Sequence, residues 1–198
     1  MTAFVDLLAP YGSDDGLDRL VCYARLLERW SARHSLVRFG SRKELVERHI
    51  GDALAARDLL PMEGNLLDVG SGAGLPGVPL LAVRPGWRGV LLEPRQKRWA
   101  FLRLVIRELG LDARVERARY QEFHEDVLFT AVTARAVGSH EAIVQWARGR
   151  LDERGEVLVW TTEDGERDLG EPSGWRVLSS QLPGLDRGRL VRLRPCST

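Results

Sequence analysis

The sequence predicts an α/β fold: an open, mostly parallel sheet, preceded by helices and ended by an antiparallel strand. Short apolar runs alternate with amphipathic stretches from residue 65 onward, as in the βα units of a parallel sheet. The first run leads into a glycine-rich loop and then a second apolar stretch. Only a short loop separates the last two runs, which leaves no room for the crossover that parallel neighbours require.

Two helices are expected before the first strand. Apolar residues recur every three or four positions over 17–32, which is typical of an amphipathic helix. Ser41 is expected to cap the second helix, with Glu44 placed three residues on as in a capping box. This helix runs to about Leu60, because Pro61 cannot continue it.

The remaining elements follow from the alternation of apolar runs. Strands are expected at 65–69, 88–93, 112–116, 128–133, 155–160, 175–181 and 188–194. Helices are expected at about 75–83, 94–109 and 139–150. The stretch 162–174 is expected to be a loop from its Gly, Glu and Asp content alone. The loop around Pro183-Gly184 joins the last two strands.

Length and composition indicate one soluble domain. The 198 residues suit a single domain with a substantial core, which we divide into a helical extension (1–62) and an α/β core (63–198). The net charge of +1 neither implies nor excludes a nucleic acid, because a local basic patch is enough to bind one. Lys43 and Lys97 are the only lysines, so arginine carries nearly all the positive charge.

Targeting and metal signals are lacking. Cys22 and Cys196 are far apart and have no metal-ligand spacing, so we expect reduced thiols, no metal and a cytoplasmic protein. No signal-peptide pattern is recognisable at the N-terminus. No apolar run approaches the roughly 18 residues of a membrane span, so no membrane partner is expected.

The glycine loop is the strongest functional feature. Gly70, Gly72 and Gly74 lie between a predicted strand and a predicted helix, where a ligand can approach backbone closely. Glu93 ends the next strand, where a carboxylate accepts hydrogen bonds from the ribose hydroxyls of a nucleoside cofactor. The alternative is a tight turn that binds no ligand.

Asp68, just before the loop, bears on which cofactor binds. A dinucleotide would place its pyrophosphate near this acid and be repelled, whereas S-adenosylmethionine has no phosphate and carries an ammonium group. The residues therefore favour S-adenosylmethionine over NAD, although Asp68 also suits a cap for the turn. Arg119 and Tyr120 follow the third strand, where their backbone can read an adenine edge or simply form a loop.

The continuation of the loop is more specific than the loop itself. With Leu75–Leu80, Lys97-Arg98 and Thr133–Ala136, the chain resembles the GidB/RsmG-type bacterial methyltransferases over roughly residues 20–194. That family uses S-adenosylmethionine to methylate a guanine N7 in 16S ribosomal RNA of the small subunit. The resemblance implies a Rossmann-like class I methyltransferase sheet, with ribosomal RNA or the small ribosomal subunit as partner.

The resemblance also implies roles for individual residues. The implied cofactor-binding residues are Asp68, Gly70, Ser71, Gly72, Gly74, Glu93, Arg119 and Tyr120. The implied substrate-side residues are Lys97, Arg98, Arg135 and His49. Two departures from the family pattern concern the acceptor. The family usually has an Asn-rich motif just after the tryptophan of the first helix, but the residues directly after Trp30 contain no Asn. It usually has a Lys-Gly after the fifth strand, where this chain has Thr161-Thr162-Glu163-Asp164.

Methylation of guanine N7 needs no general base, because that nitrogen has a free lone pair. Catalysis is then mainly positioning, and Arg135 is the expected catalytic clamp on a phosphate or base edge, with a surface salt bridge as the alternative. His49 suits a half-buried helix residue better than a proton-transfer group. Other interpretations stay open: a methyltransferase for a small molecule or another macromolecule, or a cofactor-binding module without turnover. A monomer is expected.

Overall fold

Seven strands form one sheet in the computed structural model, which describes residues 3–136, 138–182 and 187–196. The strands are β1 Glu63–Val69, β2 Gly86–Leu92, β3 Ala113–Glu116, β4 Phe129–Arg135, β5 Leu151–Thr162, β6 Trp175–Gln181 and β7 Gly188–Pro195. Their order in the sheet is β3-β2-β1-β4-β5-β7-β6. β1 to β6 run in one direction and β7 runs opposite to them, which confirms the predicted sheet. The loop predicted around Pro183-Gly184 lies outside the described residues.

Helices cover both faces of this sheet. They are α1 Phe4–Leu8, α2 Asp14–His34, α3 Arg42–Leu45, α4 Asp52–Leu54, α5 Gly77–Val83, α6 Gln96–Leu109, α7 His140–Ala147 and α8 Glu163–Leu169. Single 3₁₀ turns span Ala9–Tyr11, Arg57–Leu59, Tyr120–Glu122 and Arg148–Arg150. A π-helical turn, Val46–Gly51, joins α3 to α4.

The predicted cap at Ser41 is confirmed in part. The Ser41 hydroxyl accepts a hydrogen bond from the Glu44 backbone N–H at 3.1 Å. The Glu44 carboxylate reaches the N–H of Gly40, at 2.7 Å, instead of the N–H of Ser41. The π-helical turn that follows was not predicted, because its wider spacing leaves no mark in the apolar pattern.

The prediction of a loop over 162–174 was wrong, since α8 occupies its first half. The Thr162 hydroxyl accepts a hydrogen bond from the Gly165 N–H at 3.2 Å and caps the helix. Glu163, Asp164 and Glu166 lie in the first turn, where the helix dipole favours negative charge. Leu169 is buried against the sheet.

The two faces of the sheet carry separate hydrophobic clusters. The N-terminal helices, α5 and α6 pack on one face, and α7 and α8 on the other. Along β1, Leu66 belongs to the first cluster and Leu67 to the second, as expected for alternating side chains. Asp68, and Thr133 and Arg135 on β4, therefore point to the face covered by the N-terminal helices.

Two buried hydrogen bonds connect the N-terminal helices to the carboxyl edge of the sheet. The Tyr23 hydroxyl on α2 donates to the Ala73 carbonyl in the glycine loop at 2.8 Å. The Trp160 indole on β5 donates to the Asp52 carbonyl at 2.7 Å. The helices that precede the first strand thus help to build the glycine loop and the end of β5.

We expect Tyr23→Phe to lower the free energy of unfolding by about 1 to 3 kcal/mol, because it leaves the buried Ala73 carbonyl without a partner. Urea denaturation measures this difference. Tyr11→Phe is the matched control, since Tyr11 is only half-buried and its one hydrogen bond with a described side chain is made by its backbone carbonyl, which the substitution keeps. Equal losses in the two variants would contradict a specific role for the bond.

Candidate cofactor and acceptor site

The glycine loop has a backbone that favours glycine at three positions. Gly70, Gly72 and Gly74 have φ angles of 69°, 58° and 96°, in the left-handed region that other residues rarely enter. Ser71 is buried and turned inward: its N–H donates to the Leu92 carbonyl at 2.9 Å, and its hydroxyl donates to the Asp68 carbonyl at 3.0 Å. Ser71 therefore fixes the loop to the sheet.

Glu93 lies directly against this loop. Its Oε2 accepts a hydrogen bond from the Gly72 N–H at 2.9 Å, and its Oε1 accepts one from the Arg95 N–H at 2.7 Å. A carboxylate offers about four lone-pair sites, so acceptor capacity remains for two hydroxyl groups. The structure thus brings Glu93 and the glycine loop together, as the sequence predicts.

Asp68 lies beneath the loop and is fully buried. Its Oδ1 accepts a hydrogen bond from the Thr133 hydroxyl at 2.7 Å. Its Oδ2 has no hydrogen bond of good geometry to a described residue, and it packs so closely on α5 that a Cβ at Gly77 would come within 2.7 Å. Burial raises the pKa of Asp68 from 3.8 to about 6, against the lowering effect of Thr133. Because Asp68 is buried beneath the loop, its carboxylate would act on a ligand above the loop only electrostatically, across the loop backbone.

A cleft of about 390 Å³ opens beside Gly70. Arg119 and Tyr120 line it together with Val69, Pro94 and Ile143. The Arg119 N–H donates to the Glu122 carboxylate at 3.1 Å, so a ligand contact to that N–H requires Glu122 to move. The Tyr120 ring packs edge-on against Trp146, with 5.2 Å between ring centroids. The cleft has the size of a small-molecule site.

Arg135 connects the end of β4 to the π-helical turn. Its Nη1 donates to the His49 carbonyl at 3.2 Å, and its Nη2 donates to the Arg48 carbonyl at 3.3 Å. The same Nη2 lies 3.8 Å from Asp52 Oδ2. The Arg135 side chain keeps 20% of its surface exposed and lines a second cavity, of about 400 Å³, beside Trp160.

Asp52 and Tyr23 are site residues that the sequence analysis did not assign. Asp52 is only 1% exposed, and neither of its carboxylate oxygens forms a hydrogen bond with a described residue. Burial raises the pKa of Asp52 to about 6, against the lowering effects of Arg135 and Arg48. For Asp52, the sequence did offer one signal of a functional role: a carboxylate among the apolar residues of a predicted helix.

The other predicted substrate-side residues lie around this centre. The His49 ring is within 3.2 Å of the Arg38 carbonyl, and burial together with Arg135 lowers its pKa, so the ring is neutral near pH 7. Arg98 is half-buried beside the glycine loop, 3.7 Å from where a Cβ on Gly72 would lie. Lys97 is exposed at the start of α6.

In the described part of the chain, no group of three or more His, Cys, Asp or Glu side chains is arranged to hold a metal ion. None of the described helices has the length and apolarity needed to cross a membrane.

A class I methyltransferase fold is defined by three features together: the strand order, the glycine loop, and Glu93 directly after β2. A solved structure, the ribosomal protein L11 methylase from Lactobacillus delbrueckii subsp. bulgaricus, shares this fold with a TM-score of 0.63. The similarity covers 76% of this chain and 80% of that one, at 11% sequence identity. This likeness concerns the fold alone.

Sequence comparison identifies the family. The profile of the GidB family, described as rRNA small subunit methyltransferase G, matches residues 17–173. The ribosomal RNA small subunit methyltransferase G of Marinobacter nauticus is 34% identical over 182 residues, which cover 89% of this chain and 85% of that protein. The protein of the same name from Stenotrophomonas maltophilia is 35% identical, covering 90% and 86%. The chain belongs to the GidB family and is a methyltransferase, and its family and fold imply the use of S-adenosylmethionine.

We expect Asp68→Asn to stabilise the protein increasingly as the pH rises. The folded-state pKa of Asp68 lies above its unfolded value, so this group favours the folded state at acidic pH and loses that contribution as the pH passes about 6. Relative to wild type, the variant's free energy of unfolding should increase by about 1.4 kcal/mol between about pH 5 and about pH 8. Denaturant titrations at both pH values measure this, and a pH-independent difference would contradict the raised pKa.

Proposed function

We propose that this protein transfers a methyl group from S-adenosylmethionine to a guanine N7 of 16S ribosomal RNA. The observation that carries the proposal is one juxtaposition at the carboxyl edge of the sheet. Gly70 of the glycine loop lines one cleft, Glu93 binds the loop through the Gly72 N–H, and Arg135, on the strand next to β1, lines a second cleft. Relatives over most of the chain are named for the same RNA. On this proposal the protein acts in the cytoplasm, as a monomer, on free RNA or the small subunit.

The residues of the loop fit S-adenosylmethionine better than a dinucleotide. A pyrophosphate needs free N–H groups at the start of a helix, but the N–H groups of Gly74 and Leu75 both donate to the Ser71 carbonyl, and that of Val78 donates to Gly74. The buried Asp68 carboxylate adds negative charge at the same place. These features disfavour phosphate and suit a cationic ligand without phosphate.

Each part of the cofactor would then have its own group of residues. Glu93 would hold the ribose hydroxyls, the left-handed backbone at Gly70, Gly72 and Gly74 would lie along the methionine portion, and the cleft lined by Arg119 and Tyr120 would hold the adenine. When bound, S-adenosylmethionine supplies an electrophilic methyl group on a sulfonium. Asp68 would favour the positive charge of that ligand through the loop, with Ser71 keeping the loop in place.

On the acceptor side, this chain has to position a base. Guanine N7 carries no proton, so the neutral His49 ring and the buried Asp52 need not take one up. Arg135 is held by two carbonyl groups, and its remaining N–H donors are available to a phosphate or a base edge in the adjoining cavity. Arg135 would thus orient the acceptor, while Lys97 and Arg98 contribute positive charge near the glycine loop.

The acidic residues after β5 do not oppose this proposal. Asp164 forms an ion pair with Arg187 at 2.5 Å, and Glu163 lies 3.8 Å from Arg189. Their charge is therefore largely balanced by β7 and the residue just before it, and is not directed at an incoming phosphate.

We expect Gly72→Ala to abolish most binding of S-adenosylhomocysteine in calorimetry, because the added methyl group would occupy space that the proposal gives to the ligand, while its nearest protein atoms, on Arg98 and Gly70, stay at 3.7 Å. Gly110→Ala is a matched control: Gly110 has the same φ of 58°, and its Cβ would meet open space. Both variants should lose about 1 to 2 kcal/mol of stability from the left-handed backbone, but only Gly72→Ala should lose affinity. Wild-type affinity in Gly72→Ala would overturn the assignment of the loop.

We expect the wild-type protein to transfer labelled methyl groups from S-adenosylmethionine to 16S ribosomal RNA that lacks the modification. Arg135→Ala should reduce the rate at least about 100-fold, because a displaced acceptor loses the aligned geometry. Arg88→Ala is the control. Arg88 lies on β2, which does not pair with β4, the strand of Arg135, and its side chain pairs with Asp112.

The affinity of each variant for S-adenosylhomocysteine shows whether its cofactor site is intact. Cofactor binding by the wild type without label in any RNA would contradict the proposed acceptor.

A further inference from the structure

One surface region concentrates positive charge on a nearly neutral protein. Residues 22–50 contain seven basic and three acidic side chains, a net charge of +4, whereas the whole chain carries +1. The three carboxylates, those of Glu28, Glu44 and Glu47, are already bound to Arg42, to the Gly40 N–H and to Lys43. The basic side chains of this region are therefore in excess.

Five arginines of the region form no ion pair with a described carboxylate, and we call them the arginine track: Arg25, Arg29, Arg33, Arg38 and Arg48. All five are exposed. Three other exposed arginines do have carboxylate partners: Arg88 pairs with Asp112, Arg107 with Glu108 and Arg114 with Glu125.

Three members of the track form a stripe on α2. Leu20, Ala24 and Leu27 face the core, and Arg25, Arg29 and Arg33 occupy the opposite side at four-residue spacing. The distance along the helix from Arg25 to Arg33 is about 12 Å, at about 1.5 Å per residue. One small anion cannot neutralise charges spread over that length, but a polyanion can.

The stripe opposes helix stability, which points to a ligand that offsets it. Like charges four residues apart on a helix repel each other. The helix dipole favours Arg33, in the last turn, but this effect does not extend to Arg25 and Arg29.

The other end of the track adjoins the acceptor side of the site. The Arg38 carbonyl lies 3.2 Å from the His49 ring nitrogen, and the Arg48 carbonyl accepts a hydrogen bond from Arg135. A polyanion that reaches the acceptor side of the site would therefore pass close to Arg38 and Arg48.

We infer that the arginine track binds the sugar-phosphate backbone of the acceptor RNA, from the outer face of α2 to the acceptor side of the site. This inference rests on the proposed function for the identity of the RNA. Arginine suits the role, since its planar fork of donors matches phosphate oxygens. Phosphate contacts fix the register of a nucleic acid and leave the choice of base to other residues.

The test compares two triple variants that remove the same charge. Arg25→Gln, Arg29→Gln and Arg33→Gln together remove the stripe, whereas Arg88→Gln, Arg107→Gln and Arg114→Gln remove three paired arginines. Filter binding with protein-free 16S ribosomal RNA is measured over a range of salt concentrations. The stripe variant should bind at least about tenfold more weakly near 0.1 M salt. Its slope of log affinity against log salt should be less negative by about 2, and the control should match wild type within about twofold.

Methyl-transfer kinetics provide a second readout. The stripe variant should raise the KM for RNA and leave kcat at saturating RNA unchanged, because α2 does not line the cleft beside Gly70. Its affinity for S-adenosylhomocysteine should equal that of the wild type, which also shows that the variant is folded.

The outcomes separate this inference from the proposed function. Equal losses of RNA affinity in the two triple variants, or an unchanged salt slope in the stripe variant, would overturn the track. If the wild type binds RNA through the stripe but transfers no methyl group, the proposed function fails and the track stands. A wild-type protein that binds no RNA at any salt concentration would overturn both.

Discussion

The hydrogen bond from the Tyr23 hydroxyl to the Ala73 carbonyl fixes the part of the molecule on which the site depends. The glycine loop must keep a left-handed backbone at three positions, and its glycines have no side chains that could hold this conformation. Ser71 binds it to the sheet through Leu92, and Tyr23 binds it to α2 from the other side. Because Tyr23 is fully buried, this bond persists only while the N-terminal helices stay packed on the sheet. The loop and those helices therefore form one structural unit.

Two buried carboxylates show that the site is built at some cost in stability. Burial raises the pKa of both Asp52 and Asp68 to about 6, so each ionised group near neutral pH opposes folding. Asp68 is compensated by the Thr133 hydroxyl, and Asp52 by Arg135, at 3.8 Å, and by Arg48. A position with a purely structural role would favour an amide or an apolar residue. We therefore infer that the charges have a function, that of Asp52 toward Arg135 and that of Asp68 toward the proposed cationic cofactor.

The sequence was informative wherever function depends on local chain geometry. Gly70, Gly72 and Gly74 could be predicted because a strand, a tight turn and a helix follow one another directly, and Glu93 because the next parallel strand ends at the same edge. Helix α8 was missed because the cap at Thr162 is followed by residues that are common in loops. The π-helical turn was also missed, because its wider spacing leaves no mark in the periodic pattern of apolar residues.

Contacts between distant segments could not be predicted in the same way. Arg135 was expected at the site, but its binding to the carbonyls of Arg48 and His49 joins residues more than 80 positions apart. The hydrogen bond between Tyr23 and Ala73 likewise joins distant residues, which lie 50 positions apart. Such partners become visible only once it is known which face of the sheet the N-terminal helices cover.

Arginines at different distances from the site are held in different ways, and this suggests a division of roles. Arg135 is fixed by two carbonyl groups and is largely buried, so its remaining donors have a defined direction. The arginines on the outer face of α2 have no such partners among the described residues, and their long side chains can adapt to a backbone of variable shape. Selecting one nitrogen of one base requires a fixed group, whereas attracting and holding an RNA requires only charge. A fixed arginine at the centre and adaptable arginines further out meet both requirements, and they do so on a protein whose net charge is close to zero.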